Sequence, residues 1–364
     1  MFEVEYRWYQ DSDEEQIIEL LNIVFRKWPN FDLKCTKAEH WNWKFKDNPL
    51  KRNIICLAEH NKRIIGVTES IHLRTKIGSR MYMDSADYDN AVHPDFQGCG
   101  IYSNLWDFWS KHPDSRLSEI EISSTSNPIV IKKFLKSGAR PFPKKINILT
   151  KVRNFTKATK EQTLPIKIYH FIGFTVLSLI NGFSNIFMRR IKSENNTVSE
   201  VEMFTDEIVP FIEKMYRKHD FIFARSVDYL NWRYCDIRGG DYMVWIARKN
   251  SQIVGYLVCR VNAINKVLNG VIVDFLVDPD HQEVAYDLCD VGMEYFDEFD
   301  VCRITAWMVQ GHWLGSVLSS FGFINSRREA GVFVEYDISS PDEIMFTSAP
   351  PSKLHLQIGD TDII

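Results

Sequence analysis

The sequence predicts an α/β chain of two similar units in tandem, joined by a helical connection. Three observations carry this. The chain has 364 residues, more than a typical single domain and comfortable for two. Its halves repeat one another. Asn42-Trp43-Lys44-Phe45 is echoed 189 residues later by Asn231-Trp232-Arg233-Tyr234, and Ala58–Gly66 by Ala247–Gly255 at the same offset. Val92-His-Pro-Asp95 returns as Val277-Asp-Pro-Asp280 at 185, and Ser137-Gly138-Ala139 as Phe321-Gly322-Phe323 at 184. A slowly drifting offset over a hundred residues marks a duplicated unit. Finally, residues 91–105 read as a strand running through a Gly-x-Gly turn into an amphipathic helix.

The elements follow in order. Residues 2–8 alternate as a first strand. Asp11-Ser12-Asp13 is the expected cap of a helix over 14–25, whose Ile17, Ile18, Leu20, Leu21, Val24 and Phe25 share one face. Thr36 to Lys46 suits a second helix, ended by Asn48-Pro49. Strands follow at 53–60, 63–73 and 80–92, then a turn and helix over 98–111 and a strand over 117–124. Ser126-Asn127-Pro128 starts another helix, which ends near Ser137-Gly138. A strand over 144–152 is expected to close the first unit. Trp41, Trp43 and Phe45 recur in kind at Trp232 and Tyr234, which points to core packing in both copies.

In the turn Gln97-Gly98-Cys99-Gly100, two glycines free the backbone to take positive φ and to approach a ligand. The helix that follows aims N–H groups and a positive dipole end at one spot, where a pyrophosphate fits. The run Val92-His-Pro-Asp-Phe-Gln-Gly-Cys-Gly100 resembles the acyl-CoA pyrophosphate loop of the GNAT N-acetyltransferases. The resemblance covers 1–153 well and 200–340 weakly. It implies two tandem GNAT-like domains, each a mixed and mainly antiparallel sheet flanked by helices. These are an N-terminal acyl-CoA-binding domain over 1–153, a helical linker over 154–200, a degenerate domain over 201–340 and a tail over 341–364. Copy two carries Gln282-Glu283-Val284-Ala285 in place of the glycine turn. Without glycines, and with a carboxylate where phosphate would lie, it is not expected to bind the cofactor.

The resemblance also implies roles. Gln97, Gly98, Cys99, Gly100, Ile101, Tyr102 and Ser103 hold the pyrophosphate, the Val92 backbone polarises the thioester, and Asn127 bonds the cofactor arm. The amine's proton goes to a carboxylate on the strand before the loop, for which Asp84, Asp87 and Asp89 are the candidates. Strand alternation puts Asp87 and Asp89 on one face, where each raises the other's pKa. Asp274 is the counterpart of Asp89 in copy two. Phe134 stands where the family carries a thiolate-protonating tyrosine; Tyr102 is nearby but is expected to point along its helix.

Composition sets the remaining bounds. Hydrophobic residues are 45% and charged residues 25%, as in globular proteins. A net charge of −4 gives no global reason to expect nucleic acid as a partner. Seven scattered cysteines, none in Cys-x-x-Cys spacing, suit a reducing cytoplasm and no metal site. The start, Met-Phe-Glu-Val-Glu-Tyr, lacks the pattern of a secretory signal. From Ile168 to Met188 no residue is charged, but His170, Asn181 and Asn185 interrupt the run. Packing between domains is favoured for 165–192; a membrane-surface role is the sharper alternative, and a true span the third. The last residues, ending Gly359-Asp-Thr-Asp-Ile-Ile364, resemble the ends of acetyltransferase-like proteins of bacterial polysaccharide gene clusters. Asp360, Asp362 or the Ile364 carboxylate is therefore expected to line the amine pocket.

The resulting expectation is an N-acyltransferase that moves an acyl group from acetyl-CoA or another acyl-CoA to a small amine such as an amino sugar. The alternatives are a non-catalytic acyl-CoA sensor or scaffold and, further off, a transferase using charged tRNA. Oligomeric state is not legible.

Overall fold

In the computed structural model, residues 3–154, 196–264, 267–336, 338 and 340–361 are described. The first half runs β1 (Glu5–Trp8), α1 (Glu14–Phe25), α2 (Lys37–Phe45), β2 (Asn53–His60), β3 (Arg63–Ile77), β4 (Arg80–Val92), α3 (Ile101–Trp109), β5 (Ile120–Ser124), α4 (Pro128–Ser137), β6 (Arg140–Pro141) and β7 (Ile146–Val152). The second runs β8 (Asn196–Glu200), α5 (Val209–Lys218), β9 (Phe221–Phe223), α6 (Val227–Leu230), β10 (Tyr242–Lys249), β11 (Gln252–Ile264) and β12 (Val267–Val277). It continues through α7 (Val284–Glu298), β13 (Arg303–Val309), α8 (Trp313–Ser320), β14 (Ile324–Ala330), β15 (Val332–Tyr336) and α9 (Ser340–Ser348).

Local signals explain the starts. Thr36 and Glu39 form a reciprocal capping box at α2. At α1 the expected cap fails, because the Asp13 carboxylate instead accepts from Arg7 and from the Gln10 N–H. Arg7 outcompetes the helix N–H groups for that carboxylate.

Two sheets result. The first has the order β1-β2-β3-β4-β5-β15-β6, with β9 beside the far end of β3; the second has β14-β7-β13-β12-β11-β10-β8. Each is mainly antiparallel with one parallel pair, β4 with β5 and β12 with β13. This corrects the expected closure of the first unit. The strand at 146–152 pairs with β13 and β14 in the second sheet, and β15 enters the first sheet between β5 and β6. The two units offer equivalent edges, so a strand's own residues do not say which sheet it completes.

The halves meet about a local two-fold. Trp43 and Trp232 stack with centroids 4.8 Å apart. Trp43 Nε1 donates to the Trp232 carbonyl at 2.8 Å, and Trp232 Nε1 donates to the Trp43 carbonyl at 2.9 Å. Trp41, Trp43 and Phe45 are buried, as expected of core residues. One apolar cluster runs from Ile17 and Trp41 in the first half to Tyr256 and Leu356 in the second.

The linker expectation lies mostly outside the described residues; its end, 196–200, is strand β8 rather than helix. The segment 165–192 also lies outside them. Among the described residues no helix is long and apolar enough to cross a membrane. The C-terminal tail is built into the fold. After α9, Leu354, Leu356 and Ile358 are buried.

Candidate active site

The turn at Gln97–Gly100 leads into α3 as the sequence predicts. Gly100 offers α3 no side-chain cap, so the first-turn N–H groups have no acceptor within the helix. Gly98 and Gly100 sit at φ +79° and +82°, a region that disfavours every residue with a Cβ. A Cβ at either position would meet nothing within 4 Å, so the space beyond the loop is open. Ile101 and Leu105 are buried against Ile54, Cys56, Ala58 and Ile65, and the helix comes so close to β3 that a Cβ on Gly66 would lie 2.9 Å from Ile101 Cγ2. Cys99 and Ser103 are exposed, and the Gln97 amide turns back to donate to the Val92 carbonyl at 3.1 Å. In copy two the same place is filled. Glu283 is ion-paired with Lys249 at 2.6 Å, and Val284 and Ala285 are buried.

Beside the loop, the parallel strands β4 and β5 part. Only Asp84–Ile120 and Ser85–Glu121 are in register; beyond them a cleft of about 420 Å³ opens between the strands and α4. On its other side β4 is held by β3 through a bulge, where Asp89 and Asn90 together face Thr68. Asp89 takes φ +47° there, and Asn90 Oδ1 accepts from the Glu69 N–H at 3.0 Å. Past the bulge, His93 N–H bonds the Ile65 carbonyl. The neighbouring pair Val92–Gly66 is then a non-hydrogen-bonded one, and the Val92 N–H points away from β3, to the edge that β5 has left.

The three candidate aspartates have three different surroundings. Asp84 is fully buried, does not line the cleft, and bonds Thr75 Oγ1 at 3.2 Å; burial holds it well above the usual carboxylate range. Asp89 lines the cleft and is ion-paired with Lys44 at 2.7 Å. Asp87 also lines the cleft. Burial, then the negative charge of Glu121, raises its carboxyl well above the usual range, and the two side chains are in hydrogen-bond contact. Burial raises Glu121 too. The partner that perturbs Asp87 is thus Glu121 across the parallel pair, not Asp89, because the bulge and Lys44 set Asp89 apart. Two carboxyls placed this close disfavour ionising together, so one of them holds its proton more tightly. Glu335 on β15 lies opposite Glu121 in register and adds a third carboxylate.

Tyr102 packs edge-on against Trp106, one turn further along its helix, as expected. It also lines the cleft, its phenol pushed up to about 12 by burial, with Lys133 Nζ 4.5 Å above the ring. Phe134 lines the same cleft. Asn127 does so from the start of α4, where its carbonyl accepts from the Ile131 N–H.

A second cavity, of about 240 Å³, shares Phe25, Tyr88, Asp89 and Thr361 with the cleft. Both units build it: Trp28, Phe31, His40, Trp43 and Lys44 from the first, Tyr229, Trp232 and Arg233 from the second. Burial holds His40 down to about 4, so it is neutral at physiological pH. The C-terminal segment is clamped beside it. Asp360 pairs with the fully buried Arg225 at 2.6 Å, and His355 Nε2 lies 3.1 Å from Asp274 Oδ1. Arg233 donates to the carbonyls of Gly359 and Thr361. Asp360 and Thr361 therefore reach the cleft, but the Asp360 carboxylate is committed to Arg225; Asp362 and Ile364 lie outside the described residues. Glu121, Lys44, Arg233 and Thr361 are absent from the sequence-based site. The repeat pairs Lys44 with Arg233, the one signal that marked them together.

No protein-family model and no curated protein matches the chain. Solved structures do. Saccharomyces cerevisiae N-myristoyltransferase with bound myristoyl-CoA and inhibitors is similar over 93% of this chain and 81% of that one, at TM-score 0.60 and 10% identity. A tandem GNAT protein from the clavulanic acid biosynthesis pathway matches over 93% and 100%, at TM-score 0.58 and 11% identity. A GCN5-related N-acetyltransferase from Anabaena variabilis matches over 92% and 73%, at TM-score 0.59 and 8% identity. At these identities the likeness is one of fold: the chain has the tandem GNAT fold.

Proposed function

We propose that this protein is an acyl-CoA-dependent N-acyltransferase acting on a small-molecule amine, with one active site, in the N-terminal unit. The observation that carries the reading is convergence. The first turn of α3, which follows the open glycine turn, lines the cleft between the parted strands through Tyr102, and the cleft meets a separate cavity at Tyr88 and Asp89 of β4. In this reading the Gly98–Ser103 backbone holds the pyrophosphate, each charge-assisted bond contributing about 1.5–3 kcal/mol. The acyl arm lies between β4 and β5, its carbonyl oxygen toward the Val92 N–H. The amine enters from the second cavity and attacks the thioester carbon. A C–N bond forms, the C–S bond breaks, and the amine proton passes to the Asp87–Glu121 pair. General-base help of this kind contributes about 10²–10⁴-fold. Tyr102, kept protonated by its burial, is the phenol in the cleft that can return a proton to the thiolate in place of the missing tyrosine at Phe134.

A perturbed acid pair and a second cavity are more than a sensor of acyl-CoA needs, which favours transfer over binding alone. Acetyl-CoA and an amino-sugar acceptor are the first pair to try. The test is thiol release from acetyl-, butyryl- and myristoyl-CoA with a panel of small amines. Release that needs an amine and is lost in Asp87→Asn supports the reading; acyl-CoA binding without release by any amine overturns it.

A further inference from the structure

We propose that Arg233 anchors an acid group of the acceptor, so that the acceptor is a compact amine that carries its own carboxylate. This rests on the transferase reading and narrows it. Arg233 is 7% exposed and lines the second cavity. Its Nε donates to the Gly359 carbonyl at 2.9 Å and its Nη2 to the Thr361 carbonyl at 2.8 Å. Among the described residues, Nη1 has no hydrogen-bond partner and no carboxylate lies within ion-pair distance of the guanidinium. A desolvated cation with only neutral partners is an unfavourable arrangement unless a counter-charge arrives.

The internal repeat gives a reason why no described residue supplies the counter-charge. Lys44 is the equivalent of Arg233, and Lys44 has its carboxylate, Asp89, at 2.7 Å. The Asp89 equivalent is Asp274, which is taken: it accepts from Arg225, Tyr234 and Tyr256 and bonds His355. Arg233 thus keeps the position of a cation whose native partner is engaged elsewhere, and turns toward the cavity. A planar guanidinium with an open nitrogen suits a carboxylate better than an ammonium would. Trp28, Phe31, Trp43 and Trp232 give the cavity an aromatic wall suited to an apolar or ring-bearing body. At the other end the cavity joins the acyl cleft at Tyr88 and Asp89, where the amine is needed. About 240 Å³ suits a compact molecule rather than one linked to a nucleotide.

The test uses full-length protein and matched ligand pairs: phenylalanine, anthranilate and muramate, each against its carboxamide. Binding is followed by calorimetry with coenzyme A present. At least one acid is expected to bind about tenfold or more tighter than its amide, a preference that Arg233→Gln removes and Arg233→Lys retains in part. Coenzyme A affinity should be the same in all three proteins, which also reports folding. If no acid binds more tightly than its amide to the wild-type protein, Arg233 serves the C-terminal segment alone and the proposal is overturned. Thiol release, measured separately, scores the transferase reading. An acid preference in binding without release sinks that reading and leaves the Arg233 site standing.

Discussion

Replacing Asp360 tests whether the C-terminal segment is pinned to the second unit by charge. Arg225 has no exposed side-chain surface, and its guanidinium contacts Asp360 at 2.6 Å, Asp274 at 3.2 Å, Tyr256 Oη at 2.8 Å and the Phe223 carbonyl at 3.0 Å. Asp360 also accepts from the Gln357 N–H at 2.9 Å. Asp360→Asn preserves the shape and one acceptor but turns a charge-assisted bond into a neutral one, a loss of about 1–2 kcal/mol. Asp360→Ala removes both bonds and half of the counter-charge of a buried cation. Breaking a buried pair costs about 3–5 kcal/mol; because Asp274 still neutralises Arg225, the expected loss is near the lower end. Urea denaturation should therefore rank wild type above Asn above Ala, with the Ala variant about 3 kcal/mol less stable. Thr361 lines the cleft one residue away, so under the proposed function amine turnover should fall in the Asn variant while acyl-CoA binding, proposed for the first unit, stays. An Ala variant within about 1 kcal/mol of wild type would refute the pinning argument.

Other outcomes follow from the same geometry. Gly98→Glu and Gly100→Glu should each cost about 1–2 kcal/mol through the positive φ but still fold, because nothing stands within 4 Å of either added Cβ, and should lose acyl-CoA binding by about 10²-fold or more in calorimetry, the equivalent of one or two phosphate bonds and a repulsion. Glu121→Gln removes the neighbouring negative charge that helps hold Asp87 up, so the acid limb of the pH–rate profile should move to lower pH; an unmoved limb would exclude Asp87 as the titrating base. Trp232→Ala deletes half of the reciprocal Trp43–Trp232 contact and should destabilise the protein by about 3–5 kcal/mol. Burial holds His40 at about 4 and His219 and His312 at about 3. Between pH 6.5 and those values the unfolded chain binds protons that the folded one does not, so stability must fall as pH drops. His40 alone accounts for about 3 kcal/mol of that loss, which His40→Gln should remove from the pH dependence.

Much of this was legible in order along the chain. Helix 14–25 and strands 53–60 and 80–92 follow from local periodicity and stop signals, which act over a few residues. The glycine turn is legible because positive φ at Gly98 and Gly100 demands a particular residue. The repeat announced two units, and Glu283 announced that only one has an open loop. The pairing Asp87–Asp89 was misread because alternation assumes an unbroken ladder; the bulge at Asp89–Asn90 breaks it, and Lys44 claims one carboxylate.

What the sequence determined by itself, then, is the set of elements, their duplication and the loop beside β4. The tertiary structure alone decided which strand completes which sheet: β7 and β15 cross over between two equivalent edges. It also brought Glu121 beside Asp87 and set Arg233 on the cavity 144 residues along the chain from Asp89. The reason is physical. Helix caps, turns and periodicity are short-range preferences written residue by residue. A carboxyl pair that resists ionising together, or an unpaired buried cation, exists only once distant side chains lose their water together.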